Sequence, residues 1–328
     1  MCGPSDREFQ GCWAKFRAYE REELTPWSPA GAIPALDFAQ NDNPARASAL
    51  DAKSLSPIPD VYRGEYRSDD SQAVAKYARD VANVVDRVAG LGKGRALCGY
   101  IAETCPSVGG QIFLPAGFLA EVYRNVRAAG GVCIADEVQT GLGRIGTHFW
   151  AFQQHDVVPD IVVLGKPLGN GYPIGAVITT PEVAASFDNG MEFFSTFGGS
   201  TAACVAGLTT LQTTIEQALQ SHALTVGAHL VDALRRLQAR HDLIGDVRGS
   251  GLFVGVELVK DRKTLAPATD AAAAVVNHMR ELGVLTGTDG PHHNVIKIRG
   301  PMPLGVDDAN AIVEAMDEAL TNVEGSRD

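Results

Sequence analysis

Apolar and polar positions fall into blocks along most of this chain, and the period of each block predicts its element. Between residues 73 and 85, Tyr77, Ala78, Val81, Val84 and Val85 recur at helical spacing and predict an amphipathic helix. The stretches 98–102, 132–135, 161–164 and 174–179 are short apolar runs, the pattern of strands buried on both faces. Residues 115–129 read as a helix closed by Gly130-Gly131. Strands of this kind alternating with helices predict an α/β fold, with a mostly parallel sheet covered on both faces.

The pattern changes after about Thr210. A long helical stretch, 218–240, leads through a glycine-containing segment (Gly245 to Gly251) into a strand at 252–259. A helix at 269–282 precedes strands near Val284 and at 295–298, and a helix at 306–323 presents Ala311, Ile312, Ala315 and Leu320. This second part reads as a smaller α+β domain. Residues 1–57 mix Pro, Ser, Asp and isolated aromatics without a sustained period, so their structure is weakly specified. The expected organisation is an unassigned segment at 1–57, a large domain at 58–207 and a small carboxyl-terminal domain at 208–328.

Composition narrows the class. The chain has 328 residues, 45% of them hydrophobic, enough for a sizeable core. Against 39 Asp plus Glu stand only 28 Lys plus Arg, and the net charge of −11 argues against nucleic acid or anionic membrane as a partner. No signal peptide is visible at the start, and the longest uncharged stretch, 193–215, is too rich in Ser, Thr and Gly to span lipid. The six cysteines form no C-x-x-C pair, which predicts reduced thiols in a cytoplasmic protein. His and Cys show no ligand spacing, so no metal site is expected.

In a parallel sheet, ligands bind at the carboxyl ends of the strands. There the sequence offers Glu103, Asp136-Glu137 and Gly165-Lys166-Pro167. A lysine framed by apolar residues and glycines is expected to be partly desolvated and able to form a Schiff base. An aspartate on the neighbouring strand can hold a proton on a heteroaromatic nitrogen, and the two together suit pyridoxal phosphate (PLP). The plainer alternative makes Asp136 a cap and Lys166 a surface residue. Glu103 reads equally as an acid or base and as a buried hydrogen-bond partner. Gly141 to Gly146 spell G-x-G-x-x-G, which opens a rival reading as an NAD-dependent oxidoreductase. Five residues separate that string from the strand, however, where the dinucleotide fingerprint turns at once. The run Ser195-Thr196-Phe197-Gly198-Gly199-Ser200 is a plain turn or a phosphate-binding one.

The strings say more than the spacing. Ile134-Ala135-Asp136-Glu137-Val138-Gln139-Thr140-Gly141-Leu142-Gly143-Arg144, Pro159-Asp160-Ile161-Val162 and Gly165-Lys166-Pro167-Leu168-Gly169-Asn170-Gly171 closely resemble class III aminotransferases, PLP enzymes of fold type I. Phe194-Ser195-Thr196-Phe197-Gly198-Gly199 matches a further motif, and the separation of Asp136 from Lys166 is the family's. The resemblance runs from about Ile58 to the carboxyl end. It implies a Schiff base between Lys166 and PLP, Asp136 on the pyridine nitrogen, Val138 against one ring face and Gln139 on the phenolic oxygen. It further implies that Thr196 reaches the cofactor phosphate of a neighbouring subunit, hence a homodimer.

Pro59-Asp60-Val61-Tyr62-Arg63-Gly64, Asp289-Gly290-Pro291-His292 and Asn294-Val295-Ile296-Lys297-Ile298 are most similar to the ethanolamine-phosphate phospho-lyase branch. Amino-acid transaminases of the class usually carry Arg in place of Lys297 and often Glu in place of Val108. Lys297 and, two residues on, Arg299 are therefore candidate substrate-binding cations. The implied reaction on a small-molecule primary amine is transamination, or β-elimination of phosphate from a phospho-amine. The family's Gly-Ser-rich phosphate-binding turn and its aromatic-His-Gly segment have no match in residues 1–57, and 165 residues precede Lys166. That departure leaves a truncated, inactive homologue as an alternative.

Overall fold

The computed structural model describes Ala35–Asp37 and residues 55–90, 97–188, 190 and 194–325. The expectation for 1–57 thus lies largely outside the described residues. Two sheets organise the rest. The first runs in the order β1 (Ala35–Asp37), β2 (Gly99–Glu103), β3 (Val132–Asp136), β4 (Ile161–Leu164) and β5 (Ala176–Thr179). Its first four strands are parallel and β5 is antiparallel to β4. Helix α1 (Ala73–Gly90) turns Tyr77, Val81, Val84, Val85 and Val88 onto the sheet beside α2 (Phe118–Ala128), burying Tyr100 and Cys133 beneath them. Gly130, with φ of 85°, ends α2 and sends the chain into β3; only glycine adopts that angle without strain.

Three further helices, α3 (Pro181–Ala185), α4 (Thr201–Glu216) and α5 (Leu219–Gln238), lead to the second sheet. Its order is β6 (Ile244–Ser250), β7 (Phe253–Asp261), β10 (Val295–Ile298) and β9 (Gly287–Asp289), all antiparallel. A two-residue strand, β8 (Ala266–Pro267), pairs with β7. One face of this sheet buries Val254, Val256, Leu258, Ile296 and Ile298 against α5, α6 (Thr269–Glu281) and α7 (Val306–Gly325). The mostly parallel sheet with a smaller antiparallel unit is the fold class expected.

Several elements differ from expectation. The segment from Gly245 to Ser250 belongs to strand β6, hidden in the sequence because Gly and charged residues mask its alternation. A Cβ on Gly249 would meet the Phe253 carbonyl and Val254, so the glycine lets β6 and β7 close. The strand expected near Val284 lies at β9 instead. On α7, Ala311 is exposed, and the buried face is Ala309, Ala315, Met316, Ala319 and Leu320. Helix α4, rich in threonines of modest helix propensity, runs continuously through positions 207 and 208.

A buried charge cluster joins the two sheets. Glu257 on β7 is 2% exposed and accepts Arg63 Nε at 2.7 Å and Arg248 Nη2 at 2.8 Å. Arg248 also bonds Asp246 and, through two nitrogens, the Gly110 carbonyl of the loop after β2. Arg63 reaches the Leu265 carbonyl and Asn294 completes the set. Burial alone would raise the Glu257 carboxyl, but Arg248 and Arg63 hold it below its ordinary value.

Candidate active site

Asp136 ends β3, and its register partner on β4 is Val163, three residues before Lys166. Both side chains therefore emerge at the carboxyl edge of the parallel sheet, where open sheets bind ligands. Their charges interact. Burial pushes the Asp136 carboxyl above the ordinary carboxylate range, while the Val138 amide, donating to its Oδ1 at 2.9 Å, and Lys166 pull it down. Lys166 opens a 3-10 turn (Lys166–Gly169) with a left-handed φ of 34°, unusual for a non-glycine residue and of the kind that gathers at functional sites. It is exposed, which corrects the expectation of partial desolvation.

Val138 and Gln139 follow Asp136 in the same turn. A Cβ built on Gly165 would touch both Val138 methyl groups, so Val138 stands next to the lysine turn. Gln139 is buried, and its Oε1 has no hydrogen-bond partner among the described residues. A buried amide oxygen without a partner costs about 1–3 kcal/mol unless something meets it. Four of the expected site residues are thus together at one edge.

The turn is held by Glu137, whose part the sequence reading missed. Its carboxylate, 1% exposed, accepts the backbone amides of Ala151 (3.0 Å) and Phe152 (2.8 Å) and the hydroxyls of Thr104 and Thr140, each at 2.9 Å. Burial still raises this carboxyl, against the four donors. Glu137, the first residue past β3, is fully buried, while Asp136 at the strand end is half-buried. An acid following an acid at a strand end was the available signal.

The remaining candidates do not belong to this turn. Glu103, the register partner of Asp136, accepts the Ser107 amide at 2.9 Å and so shapes the loop after β2. Thr196 is exposed on its turn between Phe194 and Phe197, away from Asp136 in sequence and in contacts. Lys297 is bound to Asp289, Nζ to Oδ2, at 2.5 Å, so its ammonium already has a carboxylate partner. Arg299 is exposed and near enough to Arg144 that its charge, after burial, helps lower the Arg144 guanidinium to about 10. The glycine string 141–146 packs against α5. A Cβ on Gly143 would meet Gln220 and one on Gly146 the backbone of Leu224, so these glycines seat the loop on α5. That packing gives these glycines a structural reason that needs no dinucleotide.

Among the described residues, no helix is long and apolar enough to cross a membrane. The Aminotransferase class-III family model matches residues 45–320. An alanine–glyoxylate aminotransferase 2-like protein of Drosophila melanogaster is 44% identical over 86% of this chain and 58% of its own. A phospholyase from Arthrobacter, solved in complex with phosphoethanolamine, superposes with a TM-score of 0.77 at 34% identity, covering 81% of this chain and 63% of its own. An amine transaminase from an uncultivated Pseudomonas species, solved in a PLP-bound form, gives 0.74 at 30%, covering 82% and 61%. The chain spans about three-fifths of the length of these relatives. With a family model matching most of its length and the motif residues at one sheet edge, this chain belongs to the class III aminotransferase family.

Proposed function

We propose that this chain is a PLP-dependent enzyme acting on a primary amine, with β-elimination of phosphate from a phospho-amine such as phosphoethanolamine as its reaction. The observation that carries this reading is the meeting of Asp136 and Lys166 at the carboxyl edge, beside the unpartnered buried amide of Gln139. These residues fit the cofactor. Lys166 would hold its aldehyde, and Asp136 would hold the proton at the pyridine nitrogen. Val138 would pack on a ring face, and the Gln139 amide would bond the phenolic oxygen. When bound, the cofactor supplies a cationic ring that takes up the electron pair left as a proton leaves the carbon bearing the amine. Once the substrate amine has replaced it on the aldehyde, the freed Lys166 amine would take up that proton, and Glu137 would keep the Asp136 turn from moving as charge develops.

A homodimer is part of this reading, with Thr196 reaching a neighbouring subunit's cofactor phosphate. Support comes from the flanking Phe194 and Phe197, 81% and 86% exposed, and from Val205, Leu208 and Ile215, exposed at helical spacing on α4. No disulfide joins the described cysteines, which suits a reducing compartment such as the cytoplasm.

Incubation with PLP is expected to produce a visible absorption band that borohydride bleaches and that Lys166→Ala never forms. Phosphate release from phosphoethanolamine without amino transfer to pyruvate is the expected activity, and the reverse result moves the assignment to transamination. Protein that stays colourless with added PLP is instead the inactive homologue.

A further inference from the structure

The Lys297 ammonium is already spent on a carboxylate of its own chain. Its pairing with Asp289 at 2.5 Å is mostly buried, the two side chains being 24% and 12% exposed. The same Asp289 oxygen accepts Gln111 Nε2 at 3.1 Å, and Gln111, fully buried with a left-handed φ of 56°, is held by the Ser107 hydroxyl at 2.8 Å. Ser107 in turn is fixed by Glu103 at the end of β2. The next residue after Asp289 docks as well, the Gly290 amide donating to the Val108 carbonyl at 2.9 Å.

This assembly faces the parallel sheet. Ile296 and Ile298 point from β10 into the helix-covered core, so Val295 and Lys297 point the other way, and Val295 lies against Gly110 of the loop after β2. Lys297 thus stands on the side of Glu103 and its register partner Asp136. An incoming carboxylate there would meet an ammonium whose charge Asp289 already cancels, and would sit beside Asp289 in a setting where salt screens little. Besides Lys166, Arg299 and Arg144 farther along have no acidic partner among the described residues; Arg299 is exposed, and Arg144 bonds the Gly300 carbonyl.

We propose that Asp289 is a specificity-determining positioning residue: by neutralising Lys297 it withdraws that ammonium as a receptor for an α-carboxylate and favours amines whose amine-bearing carbon carries none. The inference rests on the amine-enzyme reading above, and two readouts keep the two apart. In protein without added cofactor, pulse acetylation read by peptide mass spectrometry compares Lys297 with the exposed Lys260. Asp289→Asn is expected to speed modification of Lys297 about fivefold, the scale of losing one partly buried pair. Millimolar formate is expected to protect Lys297 in that variant and not in the parent.

In cofactor-loaded protein, visible-spectrum titration gives dissociation constants. Asp289→Asn is expected to tighten L-alanine about tenfold while phosphoethanolamine stays within about twofold, a selectivity change that a merely structural role would not produce. Asp289→Ser serves for both readouts if the first variant does not fold. Unchanged labelling of Lys297, or equal shifts for both amines, overturns the proposal. A loaded protein that responds to no amine removes the enzymatic reading, and the labelling and formate results then decide the Asp289–Lys297 pair alone.

Discussion

At the joint between the sheets, Glu257 receives two guanidinium groups, and those groups spend their remaining donors on Asp246, Gly110 and Leu265. At the carboxyl edge of β3 and β4, Asp136 receives one backbone amide, Gln139 buries an oxygen with no partner, and Lys166 stands exposed in a left-handed turn. The two regions hold similar residue types in opposite states. Saturated charges fix how parts of a chain sit together, because every change leaves a buried partner stranded. Unsaturated ones leave bonding capacity for something else. The difference leaves the second region, rather than the first, with bonding capacity for the ligand of the proposed function.

Breaking the open region should cost function and spare the fold. Lys166→Ala is expected to lower amine turnover by about ten-thousand-fold, the upper range for removing a positioned proton carrier. Its unfolding free energy should stay within about 0.5 kcal/mol of the parent, as for other exposed positions. Denaturant titration beside the activity assay checks both, and a large stability loss would erase the contrast.

The closed region should behave the other way. Glu257→Gln strands Arg63 and Arg248, 19% and 14% exposed, and is expected to destabilise the protein by about 3–5 kcal/mol in urea unfolding. Since the Glu257 carboxyl is held down in the folded state, its contribution is present above the ordinary glutamate range and fades as pH falls through the held-down value. A variant that unfolds like the parent would show that the cluster does not bind the sheets together.

His155 tests the ground beneath the site. It ends the 3-10 helix (Ala151–His155) whose amides anchor Glu137, it is 4% exposed, and neither ring nitrogen has a partner among the described residues. Burial, aided by His148, lowers it to about 4. Unfolded histidine takes up its proton near pH 6.5 and the folded one does not, so stability should fall between about pH 6.5 and 4, by at most about 3 kcal/mol. His155→Phe should remove that slope in melts recorded across the range. A slope that survives the substitution would place its origin in other groups.

The smallest effect sharpens the comparison most directly. Replacing Gln139 with Leu removes an unmet polar atom and is expected to stabilise the cofactor-free protein by about 1 kcal/mol while weakening PLP uptake in a spectral titration. Destabilisation instead would mean that the amide already has a partner in solution.

What was legible in the chain follows from distance along it. The apolar runs at β2, β3 and β4 and the helical stripe of α1 are local patterns, and burial on a parallel sheet needs nothing more to be written. Asp136 and Lys166 were readable because they stand one and two residues past such a run. Strand β6 was not, since its partner β7 compensates for the glycines and charges that hide its period. Helix α4 escaped notice because threonines weaken the local signal.

By itself, then, the sequence determined the strand ends that carry reactive groups and the family motifs around them. Which charges remain available was decided only in three dimensions. Lys297 is engaged because β9 brings Asp289 beside it, and Glu257 is satisfied by arginines from a distant segment and the neighbouring strand. Pairing depends on contacts between residues far apart along the chain, and no local pattern records which partner a long, flexible ammonium or guanidinium will meet.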